Sequence, residues 1–254
     1  MISPLKQFTN YTNAGPGLEN FLRLIQSICQ VVATLSASSV AFEKWTIAWQ
    51  HLALSRRYFR YFQFIDCFDN AWSAFSDQGT SKGYVLRTLE AGRWSGMGGY
   101  LLLEALTILD ALKIWETTWA KQVFIESYKL WFYGLTFYLA ATVWQLLGLP
   151  GTPGNTTAAS SKSTSSSEKT SSNGNAAAAA AEKDTKENAA AVLGKGAGVS
   201  RQRLMKDLVV AGCDILIPGS TLGWIDVSFL TVASTAVLTS VLVGQDRWAK
   251  IQGR

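Results

Sequence analysis

The spacing of apolar residues along the chain predicts a protein built of helices. In residues 18–35 they recur at steps of three and four, which is the spacing of one face of an amphipathic helix. A longer pattern of the same kind covers residues 44–75 and predicts one continuous helix. A loop at residues 77–83, with two glycines and small polar residues, ends this second pattern.

Small residues mark the next helical pattern, in residues 84–115. Gly92 and Gly96 are four residues apart, and Ala91, Ser95 and Gly99 form a second row with the same spacing. Rows of small side chains let another helix approach closely, so these glycines are predicted helix-packing sites. A phosphate-binding loop is excluded because no Gly-Lys-Ser/Thr follows and no strand precedes.

Two uncharged segments predict membrane spans. Residues 130–149 carry no charge, and a helix of this length reaches about 30 Å, the thickness of a hydrocarbon core. Residues 227–244 are also uncharged and reach about 27 Å. Arg247, Lys250 and Arg254 follow the second segment, so the positive-inside rule predicts a cytosolic C-terminus. With two spans, the N-terminus is then predicted to be cytosolic as well.

A polar insert separates the two predicted spans. Residues 150–198 contain no aromatic residue, and Val192 and Leu193 are their only apolar residues besides alanine. Such a segment cannot bury enough apolar surface to fold, so it is predicted to be a disordered low-complexity linker. The predicted fold class is an all-α membrane protein of amphipathic helices plus about two transmembrane helices. Its divisions are residues 1–149, the insert at 150–198, and 199–254, which opens with an amphipathic helix.

Composition narrows the functional classes. Only 16% of the residues are charged, while the chain contains ten Trp, eight Tyr and twelve Phe, a balance typical of membrane proteins. The net charge of +5 is spread thinly, which argues against nucleic-acid binding. His51 is the only histidine, and no catalytic, metal-binding or cofactor motif is present, so no enzymatic activity, metal or cofactor is expected.

The most informative segment combines aromatic residues with clustered arginines. Arg56, Arg57 and Arg60 lie near the start of residues 54–75. Their guanidinium groups can pair with the headgroups of acidic phospholipids. Rings on the other side can enter the acyl boundary of one leaflet and act as a wedge. A helix packed only on its neighbours remains the alternative. The apolar stripe consists of Leu54, Tyr58, Tyr61, Ile65, Phe68, Trp72 and Phe75.

Four segments, in the same order, resemble the peroxisomal biogenesis factor 11 family. They are LENFLRLIQ (18–26), LSRRYFRYFQFID (54–66), RWSGMGGYLLLEALTILDAL (93–112) and LMKDLVVAGCDILIPGSTLGW (204–224). The resemblance implies an integral peroxisomal membrane protein whose amphipathic helix, here residues 52–75, binds acidic lipid and bends the membrane. Peroxisomes would thereby elongate, proliferate and divide.

The resemblance also implies partners. These are further copies of the chain in a homo-oligomer, a dynamin-like GTPase with its tail-anchored adaptor, and the peroxisomal membrane-protein import receptor. The alternative function is a pore for small solutes, with the carboxylates of Glu104 and Asp110 meeting inside a membrane bundle.

Overall fold

The computed structural model describes residues 3–76, 83–148 and 200–253, and within these ranges it contains helices and no strands. The all-α prediction is thus confirmed for the described residues. The predicted disordered insert and most of the predicted loop at 77–83 lie outside them. The helices are α1 (Pro4–Asn13), α2 (Gly15–Leu35), α3 (Ser39–Phe59), α4 (Gln63–Ser76), α5 (Tyr84–Leu106), α6 (Ile108–Ala111), α7 (Ala120–Leu146), α8 (Arg201–Asp214), α9 (Leu216–Thr221) and α10 (Phe229–Ile251).

Serine caps fix the starts of the first and last helices. The Ser3 hydroxyl accepts a hydrogen bond from the backbone N–H of Lys6 at 3.3 Å, and Pro4 opens α1. Ser228 caps α10 in the same way, accepting from the N–H of Thr231 at 3.1 Å. Each hydroxyl satisfies a backbone donor that the helix itself leaves unpaired, and proline at the first helical position needs no such partner.

Each long helix packs on the next in a closed circuit. In order around the molecule, α4 packs on α5, α5 on α7, α7 on α8, α8 on α10, α10 on α2, and α2 on α3, which leads back into α4. We refer to α1, α2, α3 and α10 as the α2 group, and to α4, α5, α6 and α7 as the α5 group. The last residues of α3 and helix α8 join the two groups.

The prediction of one continuous helix over residues 44–75 is wrong in one respect, because this segment forms two helices with a break between α3 and α4. The backbone N–H groups of Arg60 and Gln63 donate to carbonyls three residues earlier, at 3.2 and 3.0 Å. No proline or glycine lies at this point. The residues on each side of the break are held by contacts to other helices, which the periodicity of one segment does not contain.

Glycines bring α5 and α7 into close contact. A Cβ atom added at Gly96 would lie 2.8 Å from the Cα of Gly134, so the two backbones touch where both residues lack side chains. The other two predicted packing glycines face α7 as well: a Cβ at Gly92 would lie 3.0 Å from the Phe137 ring, and one at Gly99 2.8 Å from the Leu130 side chain. Gly134, the partner on α7, is not among the predicted packing residues.

One helix of the described residues, α10, is long and apolar enough to cross a membrane by length and composition. It overlaps the predicted span at 227–244. The other predicted span, 130–149, falls largely within α7, which begins at Ala120 and includes Lys121, Glu126 and Lys129 in its first turns. This helix does not meet the same test, so the structure supports one of the two predicted spans.

Candidate membrane-binding face and arginine network

The last turn of α3, the break and α4 expose a row of large apolar side chains. Phe62, Trp72 and Phe75 are 67%, 69% and 68% exposed. Soluble proteins seldom leave so much contiguous apolar surface in water. We call this row the aromatic face, and it consists of Tyr58, Phe59, Tyr61, Phe62, Ile65, Phe68, Trp72 and Phe75.

The aromatic face differs slightly from the predicted stripe. Six of the seven predicted residues are exposed on it, while Leu54 is half-buried. Phe59 and Phe62 are also exposed but were not predicted, because they fall outside the alternating steps of four and three that define the stripe.

The interior of the described chain includes polar side chains. Of the six largest side chains in the described part of the chain that are less than 2% exposed, four are Ser or Thr. Asn20 is also buried, and its amide donates to the Ser240 carbonyl oxygen at 3.0 Å and to the Tyr11 hydroxyl at 3.2 Å. These buried polar groups therefore have hydrogen-bond partners within the fold.

The three predicted lipid-binding arginines do not form a free basic surface. Arg56 donates to the Glu19 carboxylate at 2.8 Å, Arg57 forms an ion pair with Glu104 at 3.4 Å, and Arg60 donates to Glu104 at 3.0 Å. Their side chains are only 12%, 17% and 16% exposed. The arginine side of the amphipathic pattern therefore faces carboxylates of α2 and α5.

These pairs belong to a larger set of charges that joins the two groups of helices. Arg247 of α10 donates to the second oxygen of Glu19 at 3.0 Å. Arg23 of α2 pairs with Asp214 at the end of α8, and it donates to the Thr239 hydroxyl at 3.0 Å. We call the set the arginine network. Its members are Arg23, Arg56, Arg57, Arg60, Arg247, Glu19, Glu104 and Asp214.

Opposing effects act on the ionisation of Glu19. Burial, the largest of them, disfavours its charged form, but Arg56, Arg60 and Arg247 together outweigh burial and lower the pKa of Glu19 to about 2. The carboxylate is consequently ionised at any physiological pH. Because it carries the negative charge shared by Arg56 and Arg247, it links α2 to both α3 and α10.

Glu104 is the corresponding centre on α5. The Tyr100 hydroxyl donates to its carboxylate at 3.0 Å, and Arg60 lies 5.9 Å from the centroid of the Tyr100 ring. Burial raises the pKa of Tyr100, and the negative charge of Glu104 acts in the same direction. The positive charge of Arg60 lowers this pKa but does not outweigh the other two effects. The hydroxyl therefore stays protonated and remains a donor to Glu104.

The two carboxylates of the pore interpretation do not meet. Glu104 is occupied by the arginines of α3 and by Tyr100. Asp110 lies in α6 and accepts a hydrogen bond from the backbone N–H of Thr117 at 2.8 Å. Asp110 thus holds the turn between α6 and α7.

Other residues with reactive chemistry are dispersed. His51 is exposed on α3, Cys29 and Cys67 are buried free thiols, and Cys213 is partly exposed. Within residues 3–76, 83–148 and 200–253, no group of His, Cys, Asp or Glu side chains could hold a metal ion. The aromatic face and the arginine network are therefore the candidate functional features of the described residues.

Comparison with known protein families identifies the family of this chain. The family model of peroxisomal biogenesis factor 11 matches residues 5–248, nearly the whole chain. The matched range includes the aromatic face and all eight members of the arginine network. Searches of curated proteins and of solved structures gave no significant match.

Proposed function

Because the chain belongs to the peroxisomal biogenesis factor 11 family and so has a role in peroxisome biogenesis, we propose that it curves and elongates the peroxisomal membrane. The aromatic face does this by entering one leaflet. Elongation precedes peroxisome fission and proliferation. The protein acts as a structural wedge in the lipid and catalyses no reaction.

The exposure of the aromatic face is the observation that carries this proposal. Burying one large apolar side chain in hydrocarbon is worth about 2 kcal/mol, and eight such side chains are exposed along this segment. Rings inserted to the depth of the acyl boundary widen the leaflet they enter and leave the opposite leaflet unchanged. This difference in area between the leaflets favours curvature.

One of the described helices can hold the protein in the membrane. In our proposal α10 is the anchor, because it is long and apolar enough to span. The bases Arg247 and Lys250 in its last turns favour a cytosolic C-terminus. Self-association, the dynamin-like GTPase with its tail-anchored adaptor, and the import receptor enter the proposal from family membership alone.

The proposed activity can be tested with the full chain reconstituted into liposomes that contain phosphatidylcholine and phosphatidylserine. Electron microscopy should show tubules with the wild-type protein. The triple variant Phe62→Ser, Trp72→Ser and Phe75→Ser should form few or none, because the three most exposed rings of the face are lost. Circular dichroism should show the same helix content in both proteins.

A matched control removes equally exposed apolar side chains elsewhere. Ile114 and Trp115, in the turn after α6, are 70% and 69% exposed. Their double change to Ser should leave tubulation close to wild type. Round liposomes with the wild-type protein, or normal tubules with the triple variant, would contradict the proposed function.

The pore alternative draws no support from the contacts of Glu104 and Asp110, since each carboxylate is engaged elsewhere. It predicts conductance across planar bilayers that the triple Ser variant keeps and that Glu104→Leu abolishes. The wedge proposal concerns membrane shape, and it predicts that the triple Ser variant loses tubulation.

A further inference from the structure

The arginines that membrane binding would use already have partners inside the protein. Acidic headgroups present phosphate and carboxylate oxygens, the same kind of acceptor that Glu19 and Glu104 present to Arg56, Arg57 and Arg60. The N–H groups of Arg56 and Arg60 that donate to these carboxylates cannot make the same hydrogen bonds to a lipid headgroup at the same time. The internal carboxylates and the lipid are therefore alternative partners.

The charges of the network leave room for an additional anion. It contains five arginines and three carboxylates, so two positive charges have no carboxylate of their own. The Nε–H of Arg60 is buried and has no hydrogen-bond partner in the described structure. Unpaired buried donors are costly, and a phosphate oxygen is an acceptor that would remove this cost.

The position of the pairs couples them to the aromatic face. Arg57 lies in the last turn of α3, and Arg60 is the first residue of the break between α3 and α4. Phe59 and Phe62 of the aromatic face lie within two residues of Arg60 in sequence. As long as Glu104 holds both arginines, this part of the face is fixed against α5. Exchange of Glu104 for a headgroup would free the break to follow the membrane surface.

On these grounds we propose that Glu19 and Glu104 compete with acidic phospholipid headgroups for Arg56, Arg57 and Arg60. The competition sets the acidic-lipid content at which the protein remodels the membrane. Both states keep the guanidinium groups paired, so the exchange has a small net free energy and responds to lipid composition. This inference rests on the proposed function.

The test uses the full chain in phosphatidylcholine liposomes with rising fractions of phosphatidylserine. In Glu104→Gln the charge that holds two arginines is gone while the side chain keeps its size. The phosphatidylserine fraction for half-maximal tubulation should fall by a factor of about three, because released bases near an anionic surface strengthen membrane binding. Glu104→Asp keeps the charge on a shorter side chain and should give a smaller fall.

The matched control is Glu126→Gln, which removes the same charge from α7. Glu126 is 50% exposed and pairs only with the neighbouring Lys129 among the described contacts. Its half-maximal phosphatidylserine fraction should equal that of the wild type. If Glu104→Gln loses helix content by circular dichroism, Glu19→Gln replaces it, since it releases Arg56 from the α2 side and leaves Glu104 in place.

Hydrogen exchange followed by mass spectrometry supplies a second readout. With the wild-type protein, peptides containing residues 57–63 should exchange faster at high phosphatidylserine than at low, and with Glu104→Gln they should exchange fast at both. Equal half-maximal fractions for Glu104→Gln and Glu126→Gln, or a higher fraction for Glu104→Gln, would overturn the inference while wild-type tubulation still stands. Failure of the wild-type protein to tubulate at any fraction would instead reject the proposed function.

Discussion

The two sides of the segment formed by α3 and α4 differ sharply. On one side the rings of Phe62 and Trp72 are exposed, and on the other Arg56 and Arg60 are largely buried against carboxylates. An amphipathic helix on a soluble protein has the opposite arrangement, with its charges in water. The comparison shows that an amphipathic pattern reports two chemically different surfaces and does not by itself say which one faces the interior.

The largest effect on folding is expected on the arginine side. Arg60→Met should lower the free energy of unfolding by about 3 to 5 kcal/mol, the usual cost of removing one partner from a buried ion pair. Thermal unfolding in detergent, followed by circular dichroism, measures it. Lys129→Met removes a half-exposed partner of Glu126 and should cost less than about 1 kcal/mol. Similar losses in the two variants would mean that the network contributes little to the fold.

A somewhat smaller effect follows from the ionisation of Glu19. Its pKa is lowered from 4.5 to about 2, so the unfolded chain binds this proton at a higher pH than the folded chain. The stabilisation is complete above pH 4.5 and is lost as the pH falls towards 2, and it amounts to something on the order of 3 kcal/mol.

Chemical denaturation in nonionic detergent between pH 6 and pH 2 can isolate this contribution. The difference in unfolding free energy between the wild type and Glu19→Gln should shrink as the pH falls, because the wild-type carboxylate becomes protonated. A difference that stays constant over this range would show that Glu19 is not held by its arginines in the folded protein.

The smallest effect on folding is expected on the aromatic side. Trp72→Ser should change the unfolding free energy by less than about 0.5 kcal/mol, as surface substitutions usually do. The substitution should instead weaken membrane binding, because burial of the Trp72 side chain in lipid contributes about 2 kcal/mol. The protein concentration needed for tubulation should therefore rise at least tenfold. Trp115→Ser, at a site with the same exposure, is the control. A folding defect as large as that of Arg60→Met would erase the distinction between the two sides.

The close packing of α5 could be predicted from the sequence, because it depends on small residues about one helical turn apart. Gly92, Gly96 and Gly99 repeat at that spacing, and all three lie against α7. Most of the aromatic face was open to prediction for the same reason. Gly134 gave no such signal, since it is an isolated glycine in an apolar run and its role depends on the approach of Gly96.

The sequence by itself determined the helical class and the amphipathic character of residues 44–75, because both follow from residues close together along the chain. It also determined the family, through four segments that occur in the same order. Only the tertiary structure decided which partners the arginines have. Arg56 and Glu19 are 37 positions apart, Arg60 and Glu104 are 44 apart, and Arg23 and Asp214 are 191 apart. Pairs at such separations form when packed helices bring distant positions together, and the choice of partner then depends on the fold, because a buried charge requires a counter-charge beside it.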